Sequence, residues 1–355
     1  MNFDKPENQE FFSRFPASAT PTFYVLDSEQ KVLADQPGAM SEAELRAFLD
    51  RGLSSALPHQ SPANLALKKA DGLLSSKSAE AVAAYREALR LAPPDWPSRE
   101  IAQSSLVTAL QINQQWQTCA ETSAREASQM KHDNTFASTV VAGMWCLVQS
   151  GATPQSDRTA SWRPLAAAKL EPLAKEALSS PETERDQRNE LYRTLMFLAI
   201  SRNDKAQAEN LEDKWLAELD AIRPADDEER SAVDIARVEA ISIYGDPERV
   251  LPALRTSEMA MPHNYNASLR VAQMEKAAKD YGAAIAACDR GLSRDPGALG
   301  RSWLLQTKAD AFSQTGQSAE ARHALEQALE AAQQIPIQGP RDSNMKRIKQ
   351  ALASP

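Results

Sequence analysis

Apolar and polar residues alternate along the chain with two different periods, and the period changes near residue 60. Short β-branched and aromatic runs at Thr22–Leu26 and Lys31–Asp35 flank a polar turn, which is typical of a β-hairpin. From residue 64 onward, apolar residues recur every three or four positions between short Gly- or Pro-containing breaks. That period predicts a succession of helices. The chain is therefore predicted to be mainly α, with a small α/β segment at its start.

The α/β segment, residues 1–53, is predicted to have a helix on each side of the hairpin. Residues 4–7 (Asp-Lys-Pro-Glu) carry the signals of a helix start, and this helix would run to about Arg14. Residues 41–44 (Ser-Glu-Ala-Glu) form a capping box that opens the second helix. The predicted order is helix, hairpin, helix.

This order of elements resembles the C-terminal half of thioredoxin-family proteins. The resemblance is carried by residues 19–23 (Ala-Thr-Pro-Thr-Phe) and 37–41 (Pro-Gly-Ala-Met-Ser), followed by Leu45 and residues 48–50. The family's proline is cis, so the resemblance implies a cis Thr20–Pro21 bond. It also places Thr20 and Pro21 in the groove where a substrate backbone docks. From the residues alone, the alternative is that Pro21 starts an edge strand, but the ordered agreement of the motifs favours the family resemblance.

The resemblance stops at the rear half of the thioredoxin fold. The sequence as given does not contain the front half of that fold, and it contains no Cys-x-x-Cys pair. Thiol–disulfide exchange needs a reactive thiolate and usually a resolving thiol beside it. We therefore expect no catalytic residue and no enzyme activity in the chain as given. For a longer gene product the activity stays open, with a thiol–disulfide oxidoreductase as the candidate. Either the N-terminus is truncated, or the half-domain packs on the helices that follow.

The helical region resembles tetratricopeptide (TPR) repeats at 64–130 and 264–335. A polar stretch with two prolines, residues 54–63, is predicted to link it to the N-terminal segment. The best match has small and large residues at the repeat spacing: Leu305, Lys308, Ala309, Phe312, Ala321, Leu325 and Ala328. The resemblance implies an α-solenoid of helical hairpins over residues 64–353.

Residues 131–262 are predicted to be helical without a clean repeat, as degenerate hairpins that continue the stack. Breaks rich in Gly and Pro separate the predicted helices: 136–150, 164–179, 183–201, 204–219, 225–243 and 246–256. Residues 342–353 are predicted to form the last helix, which would cap the array.

The three cysteines, Cys119, Cys146 and Cys288, lie in apolar helical stretches. Their odd number and wide spacing argue against a disulfide framework, and we expect buried thiols. The polar first residues are not a signal peptide. The chain is thus expected to be cytoplasmic if it starts at Met1, and exported or periplasmic if an upstream signal and half-domain are missing.

Charge and motifs exclude several classes of function. The net charge is −8 and no basic stripe occurs, so we expect no nucleic-acid partner. No apolar run approaches the length of about 20 residues that spans a bilayer. The four histidines are isolated, and no metal-ligand spacing, phosphate loop or nucleophile elbow is present. We predict no metal and no cofactor.

The sequence therefore favours an interaction module whose helices bind a protein or peptide. The candidate groove residues are Arg270, Gln273, Lys276, Gln306, Asp310 and Gln314. They do not reproduce the Lys and Asn clamp with which some TPR proteins hold a C-terminal carboxylate. The alternative is the C-terminal part of a thiol–disulfide oxidoreductase that needs its missing Cys-x-x-Cys half. A structural scaffold without a peptide ligand is a third possibility.

Overall fold

The computed structural model shows a mainly α-helical chain in two compact units. One unit comprises residues 12–208, and the other includes residues 209–355. We call them the N-terminal and C-terminal units. The structure describes the following residues: 11, 14–15, 21–40, 42–56, 61–152 and 160–353. Most of the predicted first helix and Thr20 lie outside this set. The proposed cis bond at Pro21 is therefore outside it as well.

The predicted hairpin is present in the N-terminal unit. Strand β1 (Thr22–Leu26) pairs antiparallel with β2 (Val32–Pro37). The Asp27 carboxylate makes the turn by accepting the backbone N–H of Glu29 and of Lys31, both at 2.9 Å. Helix α1 (Glu42–Ala56) packs on both strands. A Cβ at its Gly52 would lie only 2.5 Å from the Val25 side chain, so this close approach requires glycine.

The rest of the N-terminal unit, over the residues that the structure describes, consists of successive helices. Helix α2 begins two residues before the predicted start of the helical region at residue 64, because the Ser61 hydroxyl caps it by accepting the N–H of Asn64 at 3.2 Å. The helices are α2 (Pro62–Asp71), α3 (Ser78–Leu91), α4 (Arg99–Ile112), α5 (Trp116–Ala127), α6 (Asn134–Ala152), α7 (Trp162–Ser179) and α8 (Arg185–Ser201).

Helix α9 (Lys205–Ala221) contains the boundary between the two units, which falls after Ala208. A short 3₁₀ turn at Pro247–Arg249 interrupts the C-terminal unit. Its helices are α10 (Asp227–Tyr244), α11 (Leu251–Ala260), α12 (Tyr265–Ala277), α13 (Tyr281–Leu292), α14 (Gly297–Gln314), α15 (Ser318–Gln333) and α16 (Gln338–Ala353).

The last helix covers an apolar cluster, as a capping helix should. It begins at Gln338, four residues earlier than the sequence predicts. Its Ile348 is fully buried in a cluster with Leu305 of α14 and with Ala328 and Ala332 of α15. Without α16 these side chains would be open to water, so the helix closes the core of the C-terminal unit.

The expectation of three buried thiols is wrong for two of the cysteines. Cys119 on α5 and Cys146 on α6 form a disulfide with a Cα–Cα distance of 6.2 Å. They are 27 residues apart in sequence, but the packing of α5 on α6 brings them together. An odd number of cysteines leaves one over and does not prevent the other two from pairing. Cys288 on α13 is the buried free thiol.

The part of the chain that the structure describes bears on two predictions from the sequence, which concern membrane-spanning helices and metal sites. Within those ranges, no helix has the length and apolar character needed to cross a bilayer. Over the same part of the chain, no cluster of three or more His, Cys, Asp or Glu residues has a metal-binding arrangement.

Candidate partner-binding face

In the C-terminal unit, helices α12 and α14 are the first helices of two successive hairpins, and they pack against each other. Helix α16 joins α14 through side-chain hydrogen bonds. We call the exposed polar surface of these three helices the first-helix face. Its residues are Gln273, Lys276, Gln306, Asp310, Gln314 and Arg347.

One ion pair crosses the first-helix face from α12 to α14. The Lys276 ammonium donates to the Asp310 carboxylate at 2.8 Å. The side chains are 32% and 59% exposed. An exposed pair of this kind contributes at most about 1 kcal/mol. A partner with charges of its own can therefore replace it at little cost.

A second set of bonds joins α14 to α16. The Arg347 guanidinium donates to the Gln306 side-chain oxygen at 2.8 Å and to the Asn344 side-chain oxygen at 2.8 Å. The Gln306 amide donates to the Ser302 carbonyl at 3.0 Å and to Asn344 at 3.3 Å. Gln306 is thus largely engaged within the protein. Neither Asn344 nor Arg347 was predicted as a groove residue from the sequence, because the last helix was predicted only to cap the array.

The remaining groove candidates differ in exposure. Gln273 and Gln314 are exposed, and each offers an amide donor and an acceptor. Arg270 is only 8% exposed and donates to the Ser231 hydroxyl of α10 at 3.0 Å. Burial lowers the pKa of the Arg270 guanidinium, and the charge of Asp234 on α10 opposes that shift. Arg270 therefore lies between α10 and α12, away from the first-helix face.

Ion pairs between buried carboxylates and half-exposed arginines join helix α11 to α12 and α13. Glu258 on α11 accepts two hydrogen bonds from Arg290 on α13, at 3.0 and 2.9 Å. Burial raises the pKa of Glu258, but the hydrogen bonds from Arg290 and the charges of Arg290 and Arg294 outweigh burial and leave the pKa below its usual value. Glu275 on α12 likewise accepts from Arg255 on α11, at 2.9 Å. These pairs fix the helices that carry the exposed residues.

The site implied by the thioredoxin resemblance is described only at Pro21. This residue is exposed, and its carbonyl accepts the backbone N–H of Gly38 at 2.8 Å. The bond joins the two ends of the hairpin. Thr20 lies outside the described residues, so the substrate groove predicted there stays a prediction.

Comparison with known proteins identifies the repeat at the C-terminal end. Residues 304–335 match the sequence model of the tetratricopeptide repeat, and they cover most of α14, all of α15 and the turn between them. The comparison with curated proteins gave no match.

Two solved structures illustrate the structural likeness. A tetratricopeptide repeat protein from Parabacteroides merdae ATCC 43184 aligns with a TM-score of 0.46 and 12% identity, over 82% of this chain and 100% of that chain. The TPR2AB domain of yeast Sti1, solved in a complex with pHSP90, aligns with a TM-score of 0.31 and 14% identity, over 82% of this chain and 96% of that chain. The family match, together with the helical hairpin that the matched residues form, shows that this mainly α-helical chain contains a tetratricopeptide repeat at residues 304–335.

Proposed function

We propose that the chain is a protein–protein interaction module whose first-helix face binds an extended segment of a protein or peptide. The observation that carries this proposal is the exposed polar surface on α12, α14 and α16, next to a matched tetratricopeptide repeat. Helical-repeat proteins use such continuous surfaces to hold partners. The amides and the opposite charges on this face are groups that form hydrogen bonds and ion pairs with a partner.

The face favours a polar partner segment that carries both signs of charge. Gln273 and Gln314 match the N–H and C=O groups of an extended backbone, because a primary amide donates and accepts. A partner carboxylate would replace Asp310 at the Lys276 ammonium, and a partner cation would replace Lys276 at Asp310. Because these contacts are exposed, their attraction is screened by salt. We expect affinity to fall as ionic strength rises.

The test uses the full chain as bait for a displayed library of random 12-residue peptides. Peptides enriched on the chain are synthesised, and their dissociation constants are measured by fluorescence anisotropy. We expect the double variant Gln273→Ala/Gln314→Ala to bind at least tenfold more weakly, and Lys276→Ala to remove most of the salt dependence.

The matched control removes two exposed amides from the second helix of the repeat, in the variant Gln327→Ala/Gln333→Ala. This variant should bind as the unmodified chain does. If the control weakens binding as much as the face variant, or if no peptide is enriched above background, the first-helix face is not the binding surface.

A second function is favoured by the N-terminal unit. Within the described residues its sheet has only two strands, a size that is marginal alone. Leu49 and Leu53, one turn apart on α1, are 51% and 66% exposed. Such a surface suits a thioredoxin-like domain that is completed by another segment. In this alternative the chain is the C-terminal part of a thiol–disulfide oxidoreductase, active only together with a Cys-x-x-Cys half.

Insulin reduction by dithiothreitol separates the two functions. It is measured for the chain as given and for a version extended upstream in its gene. Activity of the extended version alone would establish the oxidoreductase. If both versions fold and neither is active, the hairpin and its helix are structural, and the binding function stands alone.

A further inference from the structure

The disulfide between Cys119 and Cys146 lies at the centre of a tight helix–helix contact in the N-terminal unit. Both cysteines are fully buried. Close by, the Ser123 hydroxyl of α5 donates to the Thr139 carbonyl of α6 at 2.7 Å. A Cβ at Gly143 of α6 would overlap the Ser123 side chain. The two helices therefore approach as closely as glycine permits, with the disulfide inside the contact.

We propose that this disulfide is a permanent structural cross-link formed during maturation, and that the chain works in an oxidising compartment. Disulfides persist in secreted and periplasmic proteins and are rare where glutathione and thioredoxin keep thiols reduced. A catalytic or regulatory disulfide must be reached by an attacking thiolate, and full burial prevents that attack. Of the two locations that the sequence leaves open, the cross-link favours the exported one.

Formation of the bond requires an oxidant. Two thiols lose two protons and two electrons, the new S–S bond forms, and the disulfide of a donor oxidoreductase is reduced to a dithiol. The donor needs access to both sulfurs, which are shielded once α5 and α6 have closed. This chain is therefore a substrate of a disulfide-donating oxidase that acts while the N-terminal unit is still folding.

The third cysteine does not compete for this bond. Cys288 lies on α13 in the C-terminal unit, and it is buried and free. Burial raises the pKa of its thiol to about 12, so almost none of it is the reactive thiolate at neutral pH. Cys288 therefore behaves as an inert core residue, and Cys119 and Cys146 can pair only with each other.

In the test, the full chain is exported to the periplasm of a bacterial host and purified. Its free thiols are then alkylated in denaturant and counted by mass spectrometry. We expect one alkylated cysteine per chain, Cys288, and three after reduction, because two sulfurs are in the bond. The purified oxidised chain is then compared with the same sample after reduction. Reduction should lower the urea midpoint of the N-terminal unit by roughly 1 M.

Local hydrogen exchange gives the second measurement. Reduction should speed exchange in peptides from α5 and α6 and leave peptides from α14 and α15 unchanged. The Cys288→Ala variant should keep the disulfide, and Cys119→Ser/Cys146→Ser should match the reduced chain. Three alkylated cysteines in the exported chain, or equal urea midpoints for oxidised and reduced chain, would overturn the proposal.

Discussion

Two buried carboxylates, Asp35 in the N-terminal unit and Glu258 in the C-terminal unit, have different surroundings. In the N-terminal unit, Asp35 on β2 is 2% exposed and its Oδ2 accepts the hydroxyl of Ser75, while its Oδ1 has no hydrogen-bond partner. In the C-terminal unit, Glu258 is 5% exposed and is held by Arg290 and Arg294. Both acids are buried, but only the second is surrounded by cations.

The pKa directions show the consequence of this difference. Burial raises the pKa of Asp35 to about 7; the bond from Ser75 opposes the shift, and the nearby Asp71 carboxylate adds to it. Hydrogen bonds from Arg290 and its neighbours leave the pKa of Glu258 below its usual value. Burial alone therefore does not set the charge of an interior carboxylate. The number of donors and cations around it decides.

A single arginine serves the acidic cluster of the N-terminal unit. Arg51 on α1 approaches the Asp71 carboxylate of α2 at 3.5 Å, and the Tyr85 hydroxyl donates to the same carboxylate at 2.8 Å. Asp35 lies close enough to raise the electrostatic cost of a second negative charge. This cluster joins the hairpin and α1 to the first helices of the array.

The largest expected effect comes from removing that arginine. Arg51→Ala leaves Asp71 buried without a cation, and breaking a buried pair in this way costs about 3–5 kcal/mol. The measurement is urea unfolding followed by circular dichroism. The control is Arg86→Ala on the exposed side of α3, which should change stability by less than about 0.5 kcal/mol. Equal effects of the two variants would mean that Arg51 does not support Asp71.

The next effect is a pH dependence at Asp35, opposite in sign to the one that the lowered pKa of Glu258 predicts. The pKa of Asp35 rises from 3.8 unfolded to about 7 folded, so the folded state binds the extra proton between these values. The stabilisation is complete below pH 4 and is lost as the pH rises through 7, by about 4 kcal/mol in total. Mild acid should therefore strengthen the N-terminal unit.

Asp35→Asn tests this sign, because an amide stays neutral at every pH. The variant should be more stable than the unmodified chain at pH 8, and its urea midpoint should change little between pH 5 and 8. The matched control is Asp50→Asn on the exposed side of α1. Asp27 is unsuitable as a control because its carboxylate makes the turn of the hairpin. A variant that keeps the full pH dependence would assign it to another group.

Local elements of this fold follow from the sequence, because their signals are local. The predicted helix at 164–179 is found at Trp162–Ser179, and the one at 183–201 is found at Arg185–Ser201. Apolar period and Gly or Pro breaks determine such limits. The disulfide and the buried ion pairs depend instead on which helices pack together, and the period of one helix contains no information about its neighbours.

On α12, likewise, the sequence alone did not predict which groove candidates share a face. Arg270, Gln273 and Lys276 are three residues apart, and at 3.6 residues per turn each step rotates by about 60° away from the last. Over six residues the rotation is about 120°, so the first and third members point in clearly different directions. Hence Lys276 reaches Asp310 of α14, while Arg270 reaches Ser231 of α10.

The smallest expected effect concerns the well-paired acid of the C-terminal unit. Arg290→Ala removes two hydrogen bonds from Glu258, but the Arg294 guanidinium remains 3.8 Å away. We therefore expect a loss of about 1–2 kcal/mol in unfolding free energy, less than for Arg51→Ala. The matched control is Arg301→Ala at an exposed position of α14.

A double-mutant cycle separates the charge of Glu258 from its packing. In a Glu258→Gln background no buried charge needs compensation, so Arg290→Ala should cost less than half of its effect in the unmodified chain. Equal costs in both backgrounds would mean that Arg290 acts through its aliphatic contacts alone. The difference between the two carboxylates would then rest on the few donors around Asp35, which raise its pKa and make stability depend on pH, rather than on the arginine pairs of Glu258.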